Sequence, residues 1–260
     1  MKLTELLDLL EKIGPLSISD EFCKKHDAYD NSGIIVDSGE EIEGVLFTLD
    51  LSKGAIAVAK DQKLNAIVTH HPAIFGGVSQ ISVNDPATEL IAECMKERIS
   101  VISMHLNFDA APEGIDYHLM RGLGGTAAKP LVKLEGGAYG RVYDVLPRKF
   151  HEYFDFVKAS FKTDRALAYG DPNKHTSRVA SFCGAGCDDD AIAFAAEEGA
   201  DVFVSSDIKH HQLTALLVRG MNVIVLTHYS AENYGFRKIY NKIIDGLNIP
   251  SSYFTDLGLM

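Results

Sequence analysis

Cationic side chains, cysteines and long apolar runs are all scarce in this chain of 260 residues. Lysine and arginine number 25 against 36 acids, for a formal net charge of -11 at pH 7. That balance argues against a nucleic-acid backbone as the main partner, which would demand a basic stripe. It leaves room for a small anion held through metal ions, because bound cations dominate a local field. The four cysteines, Cys23, Cys94, Cys183 and Cys187, lie in otherwise ordinary segments. With no signal-peptide pattern in MKLTELLDLLEKIG, they point to free thiols in a reducing cytoplasm. No apolar run reaches the roughly 20 residues that span a bilayer. Walker and GxSxG motifs are missing, so neither a nucleotide-triphosphate motor nor a serine hydrolase is supported.

What is present is an alternation of strand and helix patterns. Leu3 to Ile13 carries leucines at helical spacing. GVLFTLD (44–50) reads as a strand, Ser52 as the cap of a helix over KGAIAVAKDQK, and NAIVTH as the next strand. PATELIAECMKER opens with proline, which suits a first helical turn, and SVISMH (100–105) is a third strand. Such alternation predicts an α/β protein with parallel βαβ units. The pattern then recurs: VASFCGAG, DDDAIAFAAEEG, ADVFVSSD, IKHHQLTALLVRG and NVIVLTH. In register, His70-His71 falls on Ser206-Asp207 and His105 on His228. Both of the latter histidines are followed four residues later by an acid, Asp109 or Glu232, which favours an internal duplication. GLGGTAAKP (122–130) is the clearest connection between the halves. AYGRVYDVL and RALAYGD read as strands flanking the helix RKFHEYFDFVKASF. ENYGFRKIYNKIIDG predicts a helix from Glu232, and SSYFTD a last strand.

The residues with the most chemistry lie where strands end. In open α/β sheets functional groups gather beyond the carboxyl ends of strands. His70, His71, His105, Asp109, His228 and Glu232 all have that address. Imidazole and carboxylate together suit zinc, iron(II) or manganese(II). Two such ions about 3.5–4 Å apart, with a hydroxide between them, are within the capacity of this donor set. No cysteine shares the address, which argues against a closed structural zinc site. Each residue also has a plainer reading. The pair His70–His71 could be a turn before Pro72, His105 a core histidine, Asp109 a loop cap and Glu232 a solvated first-turn acid. Asp207 reads as a cap for the helix bearing His210 and His211. GAGCDDD resembles a phosphate-cradling turn, but its aspartates would repel an anion, and Cys183 and Cys187 lack the partners of a zinc or redox pair.

The segments VTHHP, HLNFD and THYSAE, with AYDNSG and SSDIKHH, resemble in this order the motifs of the Nif-three-like dinuclear metal-centre family, also labelled type 2 GTP cyclohydrolase I homologues. The resemblance implies two interlinked αβα domains, a ring-shaped homohexamer and two divalent metal ions per subunit. It implies His70, His71, Asp109, His228 and Glu232 as metal ligands, with His105 close to the metals. On that pattern residues 1–125 plus 227–260 form a first αβα domain with most of the ligands, and 126–226 a second. Tyr29, Leu106, Ser206 and His210 depart from the family's motifs, whereas the ligands do not. The reading that results is a metal-dependent hydrolase for a small phosphorylated or purine-nucleotide-like substrate. The bridging hydroxide would be the nucleophile and His105 a general base or proton relay. A non-enzymatic metal-delivery protein or ring-shaped scaffold is the competing reading.

Overall fold

A computed structural model describes Met1–Met260. Its residues divide into two compact units, one of Met1–Gly114, Leu134–Gly136 and Phe236–Asp256, the other of Ile115–Lys133, Gly137–Gly235 and Leu257–Met260. In chain order the first contains α1 (Leu3–Glu11), α2 (Leu16–His26), β1 (Gly33–Val36), β2 (Val45–Thr48), α3 (Lys53–Asp61), β3 (Ala66–Thr69), α4 (Glu89–Lys96), β4 (Ser100–Ser103) and α5 (Leu106–Ala110). The second contains α6 (Ile115–Gly122), most of β5 (Lys129–Leu134), β6 (Gly137–Lys149), α7 (Phe150–Phe161), β7 (Leu167–Tyr169), β8 (His175–Ser181), α8 (Asp189–Glu197), β9 (Val202–Ser205), α9 (His210–Val218) and β10 (Asn222–Val225). The long α10 (His228–Ile243) is shared in sequence between the units, and β11 (Ser251–Tyr253) belongs to the first.

The first sheet has the order β1-β4-β3-β2-β11. Its inner pairs and the β2–β11 pair are parallel, while β1 closes the β4 edge antiparallel. All four residues of β2, β3 and β4 are buried, as expected of parallel strands covered on both faces. On one face Leu46, Ile67 and Val101 pack with Ala55, Ile56 and Ala59 of α3 and Ile91 and Cys94 of α4. Adjacent residues of a strand point to opposite faces, so Phe47 turns the other way, toward Phe236 and Tyr240 of α10.

The second sheet has the order β5-β6-β8-β9-β10-β7. The three strands β8, β9 and β10 are parallel, flanked by antiparallel β6 and β7. Phe182 and Phe203 stack at 5.1 Å among Ala191, Ile192, Ala195 and Leu216 from α8 and α9. A buried Asp116 at the start of α6 accepts from Arg141 Nε at 2.8 Å and from the Gly140 amide at 3.1 Å, fastening α6 to β6.

The α/β class with mostly parallel pairing and the repeated parallel trio of strands agree with the sequence reading. Ser52 caps α3, its hydroxyl accepting from the Ala55 amide, and Asp188 caps α8 through the Ala191 amide. Two boundaries differ. The helix expected from Pro86 begins at Glu89, because Asp85 holds the Ala87 and Thr88 amides in a preceding turn. α10 begins at His228 rather than Glu232, since the Thr227 hydroxyl accepts from the Ser230 amide and starts the helix a turn earlier. The antiparallel edge strand β1 and helix α2 carry no strong periodicity and were not expected. No helix is long and apolar enough to cross a membrane.

Phe203 is fully buried on a central strand, so truncation leaves a cavity that the sheet cannot close. Phe203→Ala should cost about 4 kcal/mol of stability, against about 1 kcal/mol for Ser52→Ala. Chemical denaturation of both variants measures the contrast, and near-equal losses would mean that the second sheet repacks.

Candidate metal centre

Two adjacent histidines can serve one face only if the extended chain has ended and turns there, and in the first unit it does. β3 ends at Thr69, whose hydroxyl donates to the His71 carbonyl at 2.8 Å and lies 2.8 Å from the Ser103 hydroxyl. The amides of His70 and His71 both donate to the Leu49 carbonyl beyond β2, at 3.1 and 3.0 Å. Ser103 also accepts from the Ala73 amide at 3.1 Å, so the turn through Pro72 is fastened to the tips of two strands. The imidazoles of His70 and His71 then lie with centroids 4.8 Å apart. His105, beyond β4, joins them: one ring nitrogen from each of the three falls within 4.8 Å of the others, a group able to hold a metal ion.

Each ring is fixed through Nδ1. His70 is buried, and its Nδ1 donates to the Met104 carbonyl at 2.9 Å, since a carbonyl can only accept. Asp50 accepts from His71 Nδ1 at 2.7 Å, and Asp30 from His105 Nδ1 at 2.8 Å. With the proton on Nδ1, Nε2 is the basic nitrogen of each ring, the arrangement that prepares imidazole for a metal. Asp109 lies on the first turn of α5, buried, with Oδ1 3.5 Å from His70 Nε2.

Asp30 itself is held by three donors. Besides His105 it accepts from the Ser19 hydroxyl at 2.5 Å and the Ser32 hydroxyl at 2.6 Å. Burial alone would raise its pKa, but these hydrogen bonds and the His105 charge hold the carboxyl well below the ordinary range. For His105 burial works against the charged form. The Asp30 hydrogen bond and the charges of Asp109 and Asp30 outweigh it and raise the imidazole pKa.

The second unit repeats the device. Asp207 follows β9 and accepts from His228 Nδ1 at 2.6 Å, while His228 Nε2 lies 3.0 Å from Glu232 Oε2 one helical turn on. The early start of α10 puts this pair on one helix face. Asp207 has φ +27°, a conformation that an aspartate tolerates better than most residues and that aims its carboxylate at the imidazole. Glu232 is buried beside the turn after β8. A Cβ at Gly184 would stand 2.6 Å from Glu232 Oε1, and the residue has φ +58°. The glycine in the GAG turn therefore admits a carboxylate, which explains a motif that only resembled a phosphate cradle.

Among the residues expected from sequence, His70, His71, His105 and Asp109 come together in the first unit, and His228 with Glu232 in the second. Asp50, Asp30 and Asp207 were not expected as partners of the rings. The signal for Asp50 and Asp207 was there, because each lies at the end of a strand beside a histidine-bearing one. The donor set of neutral imidazole and carboxylate, with no thiolate among it, fits a divalent ion that accepts nitrogen and oxygen.

These features define a class of α/β proteins with a His and carboxylate centre at strand ends. The model of the family Duf34/NIF3 (NGG1p interacting factor 3) matches residues 1–252, and the chain belongs to that family. Similar proteins include the "GTP cyclohydrolase 1 type 2 homolog" of Clostridium perfringens, 27% identical, with 95% of this chain and 93% of that protein covered. The protein of the same name from Campylobacter jejuni is 29% identical, over 90% and 88%. In fold, the crystal structure of Staphylococcus aureus protein SA1388 matches with a TM-score of 0.84 at 24% identity, covering 98% of this chain and 97% of that one.

Replacing the ring-holding carboxylates should loosen metal without unfolding the protein, since the Asp207 side chain is exposed and that of Asp50 partly so. Asp50→Asn and Asp207→Asn should each weaken zinc affinity about tenfold or more in competition with a chromophoric chelator. Unchanged affinity in both would show that ring orientation does not depend on them.

Proposed function

We propose that the chain is a metal-dependent hydrolase for a small phosphorylated or purine-nucleotide-like substrate, with two divalent ions held by His70, His71, Asp109, His228 and Glu232. One observation carries the reading. Four imidazoles at strand ends, those of His70, His71, His105 and His228, all have Nδ1 committed to an oxygen acceptor, so Nε2 is the basic nitrogen in each, available for a metal or, at His105, for a proton. A core histidine needs no such uniformity. The buried carboxylates of Asp109 and Glu232 add oxygens that can bridge ions, and a cation offsets the cost of burying their charge. Treating these donors as one dinuclear centre rests on the order of the family motifs and on the shared chemistry of the two sets.

When bound, two such ions supply Lewis acidity that activates water and offsets negative charge growing on the electrophile. The chain's own residues do the rest. Asp50 and Asp207 keep the His71 and His228 rings aimed. Asp30 holds a proton on His105 Nδ1, so Nε2 is where His105 takes up a proton from an attacking water or returns it to a leaving group. Zinc, iron(II) and manganese(II) are all compatible with imidazole and carboxylate donors. The same resemblance extends the proposal to a ring-shaped homohexamer in the cytoplasm. A metal-delivery role is the second reading, favoured by the partial exposure of His71 and His228.

Elemental analysis of untagged protein, paired with hydrolysis of bis(p-nitrophenyl) phosphate, separates these readings. The wild type should hold about two ions per chain, Glu232→Ala clearly fewer, and turnover should rise with occupancy and fall at least about a hundredfold in His71→Ala. Full occupancy without turnover of phosphoesters or nucleotides, and ready loss of the ions to a moderate chelator, would sink the hydrolase and favour delivery.

A further inference from the structure

Two aromatic side chains of the first unit stand in water. Tyr29 is 54% and Phe75 68% exposed, whereas Phe47, Phe108 and Phe236 of the same unit are fully buried. The two rings meet edge to face, centroids 5.8 Å apart and planes at 87°. Phe75 in turn stands at 89° to the imidazole of His105, with centroids 6.5 Å apart. The three rings thus line a corner that opens beside the candidate general base.

The corner is held rather than loose. Tyr29 immediately precedes Asp30, which is bound to His105, Ser19 and Ser32. Asn31 donates through Nδ2 to the Ile74 carbonyl at 2.8 Å, joining the Tyr29 segment to the Phe75 segment. The Ala73 amide is fastened to Ser103 at the end of β4. An exposed aromatic pair forgoes the gain of burial, and a contiguous exposed apolar patch marks a place where something else binds. Perpendicular rings select the shape of the occupant, because a planar ring can stack on one while meeting the edge of the other.

We propose that Tyr29 and Phe75 form the recognition site for a planar heteroaromatic ring, such as a nucleobase, carried by the substrate whose reacting group lies at the histidines. This deepens the hydrolase reading and rests on it for the word substrate, although the ring site stands on its own geometry. Specificity then divides between parts of one ligand. The aromatic corner selects the ring, and the His and carboxylate donors engage the anionic end through metal, as an acidic chain requires.

Equilibrium dialysis with adenosine, AMP and ribose 5-phosphate, on metal-loaded and on chelator-stripped protein, tests the assignment. Loaded wild type should bind AMP about tenfold more tightly than ribose 5-phosphate, the order of one stacked ring. Phe75→Ala and Tyr29→Ala should each weaken AMP and adenosine by about that factor, leaving ribose 5-phosphate affinity and metal content unchanged, and Phe75→Tyr should retain binding. Equal affinity for AMP and ribose 5-phosphate, or alanine variants that bind like wild type, would overturn the proposal. If those variants instead sediment as smaller species with ligand affinity intact, the pair is a contact between copies of the chain. Adenosine binding to stripped protein distinguishes the two failures. Ring-dependent binding without hydrolysis refutes only the hydrolase, and hydrolysis indifferent to the ring refutes only this site.

Discussion

The candidate sites of both units depend on one kind of interaction, the hydrogen bond from a histidine Nδ1 to a fixed oxygen. An unrestrained imidazole can carry its proton on either nitrogen and can rotate about two side-chain bonds. A carbonyl at Met104 and carboxylates at Asp50, Asp30 and Asp207 remove both freedoms. These acceptors are as precise as the backbone that carries them, and most of that backbone lies at the ends of the parallel strands of two mixed sheets. The sheets therefore serve the chemistry by fixing where strands stop. Thr69 and Ser103 use their hydroxyls at that stopping point to fasten the turn carrying His70 and His71.

The two units reach the same chemical end by different local means. In the first, consecutive residues after one strand supply two rings, and the acid Asp109 comes from a short helix after the next strand. In the second, ring and acid both come from the first two turns of α10, and the strand before it supplies neither. The position matching His71 in the duplicated register is Asp207, which holds a ring instead of being one. Matching positions after the two strands thus carry different side chains, an imidazole in the first unit and in the second a carboxylate that orients one.

Much of this was legible in the sequence because its cause is local. Strand endings, Ser52 as a helix cap, and the spacing from His105 to Asp109 and from His228 to Glu232 all follow from periodicity and capping chemistry. What escaped was set by contacts distant in the chain. Asp30 lies 75 residues from His105, and nothing in AYDNSG reports that a buried carboxylate there meets an imidazole. Asp207 looked like a helix cap, but its positive φ directs the side chain to His228. The glycine of GAGCDDD was visible, but its reason, the approach of Glu232, comes from a helix more than 40 residues later.

The burial pattern carries a further consequence for stability. His70, Asp109 and Glu232 are buried, yet the whole chain is acidic. Ionised groups taken from water cost free energy unless a charge of opposite sign or a set of hydrogen bonds compensates. Asp30 shows the second solution, with three donors and a strongly lowered pKa. Asp116 combines it with Arg141 in the second unit. For Asp109 and Glu232 a bound cation would be the first solution, and a ligand that binds only the folded chain stabilises it by mass action. Metal would then be part of the folding free energy as well as of the chemistry, and the buried acids are where the two are joined.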